Sequence, residues 1–294
     1  MRDYFNDFKT YLIEVKKASK NTVESYMRDI SQFSSYCSDV NVSDPSICDN
    51  KFLKQYSEYL LKQGKSASTV SRIGSTLRCF YKYLMAEKIV KINPAEKIDV
   101  KKAEKKLPGI LTSKEILLLL SQTDGIDNKS IRDKAMLELL YATGIKVSEL
   151  IELNVNDINL SIGILHLNKG SKERVIPIYP AAVKSITSYL ENVRPAIATD
   201  DTDRLFTNMN GQAMSRQGFW KIIKHYADLA GIKKDITPQT LRHSFAAHLL
   251  ENGAKLSDIK EMLGHSDISS TLVYAKLMKS QYTSAYAKFH PLAK

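Results

Sequence analysis

The sequence predicts a mainly α-helical protein with one small antiparallel β-sheet, built as a helical N-terminal domain followed by a mixed α/β domain. Three observations predict it. Apolar residues recur at the helical period through most of the chain. The period shortens to that of strands only around residues 158 to 178. A lysine-rich stretch near residue 100 interrupts the pattern. A chain of 294 residues exceeds the usual size of one core, and 43% apolar content is enough for two.

The first domain spans residues 1 to 95. Tyr4, Phe5, Phe8, Leu12 and Val15 follow a helical period, and so do Val23, Tyr26, Met27, Ile30 and Phe33, with Ser19 or Asn21 available as a cap. Asp44-Pro45 breaks the pattern. A third helix runs through Phe52, Leu53, Tyr56, Tyr59 and Leu60 and stops at Gly64. Ser66 or Ser68 starts a fourth, with Val70, Ile73, Leu77, Phe80, Tyr81 and Leu84 on one stripe, and the unit ends before Asn93-Pro94. The aromatic stripes read as core. Arg72, Arg78, Lys82 and Lys88 lie along the fourth helix, where they either track phosphates or face solvent.

Residues 96 to 110 read as a linker. Positions 97 to 106 carry five lysines, Lys101 and Lys102 among them, against two acids, and Pro108-Gly109 follows. With the net charge in view, contact with DNA is favoured over a merely solubilising hinge.

The second domain spans residues 111 to 294. Thr112 and Glu115 form a capping box for a helix through Leu120; Ser130 and Asp133 are expected to do the same for the next one, which Gly144 stops. Ile158 and Leu160, then Ile164, Leu165 and Leu167, then Val175, Ile176 and Ile178 read as short strands, with Gly170-Ser171 as a hairpin turn. Helical patterning returns over residues 181 to 194, 215 to 230, 239 to 252 and 257 to 263.

Charge narrows the function. A formal charge of +11 and a pI near 9.3 imply a polyanionic partner, nucleic acid before an acidic membrane surface. The N-terminus has no apolar segment behind a basic start, and the longest all-apolar run, Ile116 to Leu120, is far too short to span a bilayer, so a cytoplasmic protein is expected. Cys37, Cys48 and Cys79 lack metal-site spacing and read as reduced thiols. Asn168-Lys169-Gly170-Ser171-Lys172 lacks the first glycine and the following helix of a nucleotide-binding loop.

One stretch suits phosphate chemistry. Thr237-Pro238 reads as a cap with proline in the first helical turn, which puts Gln239 and Arg242 on one face of a helix start that favours an anion. His265 follows Gly264, and Tyr274 lies nine residues on. Taken singly these are a surface arginine, a loop histidine and a half-buried tyrosine. Taken together in a basic chain they suggest Tyr274 as a nucleophile toward a phosphodiester.

The chain resembles the tyrosine recombinases, most closely the bacterial Xer-type enzymes. The resemblance runs through Tyr141-Ala142-Thr143-Gly144-Ile145-Lys146-Val147-Ser148-Glu149-Leu150, Lys169-Gly170-Ser171-Lys172-Glu173-Arg174, Leu241-Arg242-His243-Ser244-Phe245-Ala246, Leu263-Gly264-His265-Ser266-Asp267 and Tyr274. It implies a core-binding domain and a catalytic domain that clamp duplex DNA. It also implies a 3′-phosphotyrosyl intermediate that conserves bond energy, so that neither ATP nor metal is required. Tyr274 is then the nucleophile, Lys169 the general acid, and Arg242 and His265 the ligands of the nonbridging oxygens. Lys172 is the neighbouring candidate for the acid, and Lys172 and Arg174 of the hairpin are expected to contact DNA. The implied partners are a duplex with a paired-arm recombination site, three further copies or a related second recombinase in a tetramer, and a DNA translocase as activator. The segment Ser280 to Lys294 resembles the tail that such enzymes dock onto a neighbouring subunit.

Two positions depart from the family pattern. Lys146 stands where most members have the first catalytic arginine, and Gln239 where most have histidine. Lysine keeps the charge but loses the planar fork that grips two oxygens. Glutamine donates a hydrogen bond but holds no proton near neutral pH. Lys146 fits a slower natural enzyme, a paralogue kept for DNA binding, or a deliberate change. Retention of Lys169, Arg242, His265 and Tyr274 favours a recombinase of reduced activity.

Overall fold

Capping side chains decide where the helical patterns become helices. The computed structural model describes residues 4–98, 108–169, 172–199 and 202–275, with the backbone alone at 169 and 172. The chain divides into two compact units, Met1–Lys106 and Leu107–Lys294.

In the first unit, α1 (Tyr4–Thr10) continues as a π-helical turn over Tyr11–Val15, followed by α2 (Lys20–Asp39), α3 (Asn50–Lys62) and α4 (Ala67–Ala86). Ser19, not Asn21, caps α2 by accepting the Thr22 amide at 3.3 Å, and Ser66, not Ser68, caps α4 by accepting that of Thr69 at 3.2 Å. Each satisfies one of the amides a helix start leaves open. Phe8, Phe33, Tyr56, Leu77 and Phe80 are sealed in one core. The Asp29 carboxylate, buried on α2, accepts from Thr76 Oγ1 at 2.8 Å and from Arg72, both on α4. That pairing ties two helices together through a charge that would be costly to bury alone.

In the second unit, α5 (Ser113–Ser121) begins at the Thr112–Glu115 capping box. The next helix, α6 (Asn128–Thr143), corrects the expected cap. Asp127 accepts the amides of Lys129 and Ser130 at 3.0 and 3.1 Å, and the Ser130 hydroxyl itself donates to it. Asp133 lies a turn further in, buried, paired with Arg132 at 2.6 Å and Lys129 at 3.3 Å.

After the single turn α7 (Val147–Leu150) come strands β1 (Ile158–Asn159), β2 (Ile164–Lys169) and β3 (Lys172–Pro177), antiparallel in the order β1-β2-β3. Leu165 pairs with Ile176 and Leu167 with Arg174, and the ladder closes on Lys169 opposite Lys172. Gly170 and Ser171 lie outside the described residues.

The helix expected over residues 181 to 194 is α8 (Pro180–Asn192) followed by the short α9 (Arg194–Ile197). Pro195 has no amide to donate, so one continuous helix cannot run through it. Three helices complete the unit: α10 (Arg216–Leu229), α11 (Pro238–Glu251) and α12 (Leu256–Leu263). Among the described residues no helix is long and apolar enough to cross a membrane.

Candidate active site

Thr237 positions the first helix of the site. Its hydroxyl accepts the Thr240 amide at 3.2 Å, Pro238 opens α11, and the next turns present Gln239, Arg242 and His243. The first turn leaves Gln239 exposed. Arg242 is 2% exposed, and its guanidinium joins two helix ends: Nη1 donates to the Gly144 carbonyl at 2.6 Å and Nη2 to the Leu263 carbonyl at 2.7 Å. Both acceptors lie at helix C-termini, α6 and α12, where unpaired carbonyls and the negative dipole end favour a cation. Burial pulls the Arg242 pKa below its ordinary value, but an arginine stays charged there.

Both helix ends require glycine. Gly144 adopts φ +59° and Gly264 φ +64°, the left-handed conformation that turns a chain off its helix. A Cβ at Gly144 would collide with the Phe245 ring, and one at Gly264 with the Arg174 guanidinium. Each glycine therefore serves the turn and the close packing of the site.

Past Gly264 the chain presents His265, half-buried, with Nδ1 3.0 Å from the Thr271 hydroxyl. Burial first, then the cations Arg242 and Lys146, lower its pKa to about 4, so the imidazole is neutral at physiological pH. With Thr271 as donor, the ring carries its own proton on Nε2 and presents it as a donor. Asp267 caps the short 3-10 turn Ile268–Ser270 by accepting the Ser269 amide at 3.0 Å, and the following helical turn carries Tyr274.

Tyr274 is 1% exposed, packed with Phe245, Ala246, Ile259 and Leu263. Its hydroxyl lies 2.8 Å from Nδ1 of His243. Burial raises the phenol pKa above its ordinary value, and Arg242 opposes that rise. Burial and Arg242 both lower the pKa of His243.

The other residues singled out in the sequence separate into groups. Lys146 precedes α7, exposed, and its amide donates to Glu149 Oε2 at 2.8 Å. Arg174, expected to contact DNA, is drawn into the fold: Nη2 donates to Glu149 Oε1 at 2.6 Å and Nη1 to the Met262 carbonyl at 2.9 Å. A carboxylate and a helix-end carbonyl hold it better than water does, and the pair ties α7, β3 and α12 together behind the site. Lys169 and Lys172 are partners in the backbone ladder at the hairpin end.

On α4, Arg72 is exposed yet bonded to Asp29 and to Ser25 at 3.0 Å, and Arg78 reaches Ser75 at 2.9 Å and the Ile98 carbonyl at 3.3 Å. Lys101, Lys102 and the segment Ser280 to Lys294 lie outside the described residues. His243 was not among the site residues read from the sequence. The available signal was its place four residues after Gln239, on the same face of α11.

Comparison with known proteins places this arrangement. The profile of the phage integrase family matches residues 110–281, and that of the phage integrase N-terminal SAM-like domain matches residues 5–88. The tyrosine recombinase XerD of Staphylococcus epidermidis is 42% identical over 295 residues, covering 100% of both chains. That of Staphylococcus aureus is 43% identical over 284 residues, covering 96% of each. Among solved structures, the XerA recombinase matches with TM-score 0.55 and 25% identity over 99% of both chains. The XerH site-specific recombinase, bound to a palindromic difH substrate in a post-cleavage complex, matches with TM-score 0.76 over 96% of this chain and 84% of that one; at 20% identity it speaks to the fold alone. With two family profiles spanning most of its length and full-length relatives at 42–43% identity, the chain belongs to the phage integrase family and is an Xer-like tyrosine recombinase.

Proposed function

We propose that this enzyme cuts and rejoins duplex DNA at a specific site, with Tyr274 as the nucleophile. One observation carries the assignment of residues: Arg242 of α11 is held against Leu263 at the end of α12, and its charge bears on both His265 and Tyr274 in the turns that follow. Tyr274 Oη attacks phosphorus and the 5′-oxygen leaves, giving a 3′-phosphotyrosyl ester whose bond energy is returned when a 5′-hydroxyl reverses the step. A phosphoryl transition state spreads negative charge over its equatorial oxygens, so fixed donors there lower the barrier most. Arg242 and His265 supply two of them, and Lys146 a third as a point charge. Lys169, at the hairpin end, is the acid for the leaving oxygen. Tyr274 and Arg242 are 1% and 2% exposed, so the phosphate reaches them only when the side chains that cover them part.

The wider reading follows the family resemblance. Four protomers act on two sites through a Holliday junction in the cytoplasm, as copies of one chain or with a second recombinase, in Xer-like dimer resolution under a translocase. Lys146 and Gln239 favour a slower enzyme than one with arginine and histidine there, and at the limit a DNA-binding paralogue.

The test is a nicked duplex carrying the site that the protein itself selects from a random-sequence pool. Wild type is expected to leave a covalent protein–DNA adduct and Tyr274→Phe none, with equal DNA affinity. An adduct from Tyr274→Phe would mean that another residue attacks. If wild type forms no adduct while Lys146→Arg does, the binding-paralogue reading stands.

A further inference from the structure

The nucleophile proposed above begins as a protonated phenol sealed from water, and a buried phenol attacks phosphorus poorly until something takes its proton. Position 239, where the resembling family carries histidine, is glutamine here, which takes no proton near neutral pH. One turn further along the same face of α11, His243 Nδ1 stands 2.8 Å from the Tyr274 hydroxyl. That distance is within the reach a general base needs, and the two rings, 5.5 Å apart between centroids, form one packed unit.

We propose that His243 is a further catalytic residue: its Nδ1 takes the Tyr274 proton as Oη bonds to phosphorus. This rests on Tyr274 being the nucleophile. The Oη–H bond breaks toward Nδ1 while the Oη–P bond forms and the bond from phosphorus to the 5′-oxygen breaks, with the leaving oxygen protonated by Lys169. The resulting imidazolium holds the proton until rejoining, when Oη leaves phosphorus and takes it back. The step needs the tautomer with hydrogen on Nε2, leaving Nδ1 free to accept. The charged and titratable groups bearing on the ring are Arg242 on its own helix, His265 after α12 and Tyr274 itself. Burial first, then Arg242, lowers the pKa of His243 and favours the neutral imidazole, which is the form that accepts.

A histidine bonded to a buried tyrosine is also an ordinary way to satisfy two polar groups, so the test must separate chemistry from packing. His243→Asn sets an amide near the place of Nδ1, able to accept the hydrogen bond but not the proton. The full-length variant is expected to bind the selected duplex within about twofold of wild type. Its covalent adduct should form about a hundredfold more slowly, the low end for a lost general base. The defect should persist on a duplex with sulfur at the 5′-bridging position, because a thiolate leaves without an acid. His243→Ala should regain part of its rate with added imidazole, which also serves if the asparagine variant folds poorly. Cleavage by His243→Asn at the wild-type rate, with Tyr274→Phe still inactive, would overturn this proposal alone. Faster cleavage would make the contact a restraint on the tyrosine, and recovery on the sulfur substrate would move His243 to the leaving group; either overturns it. An adduct from Tyr274→Phe would instead remove the nucleophile reading on which it rests.

Discussion

Replacing Arg242 by methionine should unfold the second unit more readily, quite apart from any effect on chemistry. The guanidinium makes two charge-assisted hydrogen bonds, to Gly144 O at 2.6 Å and Leu263 O at 2.7 Å, inside a site where it is 2% exposed. Each such bond contributes about 1.5–3 kcal/mol, and its loss strands a buried carbonyl. Methionine fills much of the volume and removes a cation that was itself costly to desolvate, which offsets part of that loss. The expected net destabilisation is therefore about 3 kcal/mol, a large share of the ~5–15 kcal/mol of a typical domain but not all of it. Arg242→Lys, able to reach one carbonyl, should lose about half as much. Urea unfolding followed by circular dichroism reads both values, and the m-value should not change, since the surface exposed on unfolding is the same. A loss below about 1 kcal/mol for Arg242→Met would show that the arginine does not hold the ends of α6 and α12 together. The structural role matters for the chemistry, because a drop in cleavage by Arg242→Met reports transition-state binding only where the variant is still folded.

Four further outcomes can be measured. His265, at about 4 when folded against an ordinary 6.5, leaves the unfolded chain binding more protons between those values. Its contribution to stability is therefore complete above about pH 6.5 and lost as pH falls toward 4; His265→Asn should flatten that part of a plot of urea midpoint against pH. NMR titration should also find its pKa moving upward when the selected duplex binds, because a phosphate opposes the cations around it; an unchanged value would place the phosphate elsewhere. Gly144→Ala should lose about 2–4 kcal/mol, from the left-handed backbone and the Phe245 collision together, lowering Tm by roughly 5–15 °C. Lys146→Arg should raise the rate of adduct formation by about a hundredfold, the effect of one transition-state donor, and an unchanged rate would remove position 146 from the phosphate site.

What the sequence makes legible follows the range of the interactions involved. Caps act over three residues, and Ser66, Thr112 and Thr237 all announce helices that form. The cap of α6 lies three residues before the Ser130–Asp133 pattern, because the Asp127 carboxylate takes the amides of Lys129 and Ser130 and the helix is already under way at Ser130. Four-residue helices such as α7 and α9 are shorter than the period that would reveal them. Long-range pairs leave no local trace. Arg174 meets Glu149 across 25 residues, and His243 meets Tyr274 across 31, so neither contact was written in any motif. The fold class needed only composition and period, whereas the residues around the nucleophile needed the chain to be folded.

The two halves of the proposed phosphate cradle differ in how firmly they are held, and this bears on why position 146 should limit the rate. Of the five N–H groups on the Arg242 guanidinium, the two carbonyl bonds among the described residues use two, so others can meet a phosphate without releasing the helix ends. Preorganised donors of this kind are effective because they do not have to reorient when charge develops. Lys146 has the opposite character. Its backbone is fixed by Glu149, but the residue is exposed, and its ammonium ends a flexible four-carbon stem. Arginine there would bring a planar fork whose orientation costs less to fix for each bond formed, while lysine must be ordered anew as the transition state is reached. The Glu149–Arg174 pair holds the same turn, so a fork at position 146 would extend from a backbone that is already fixed.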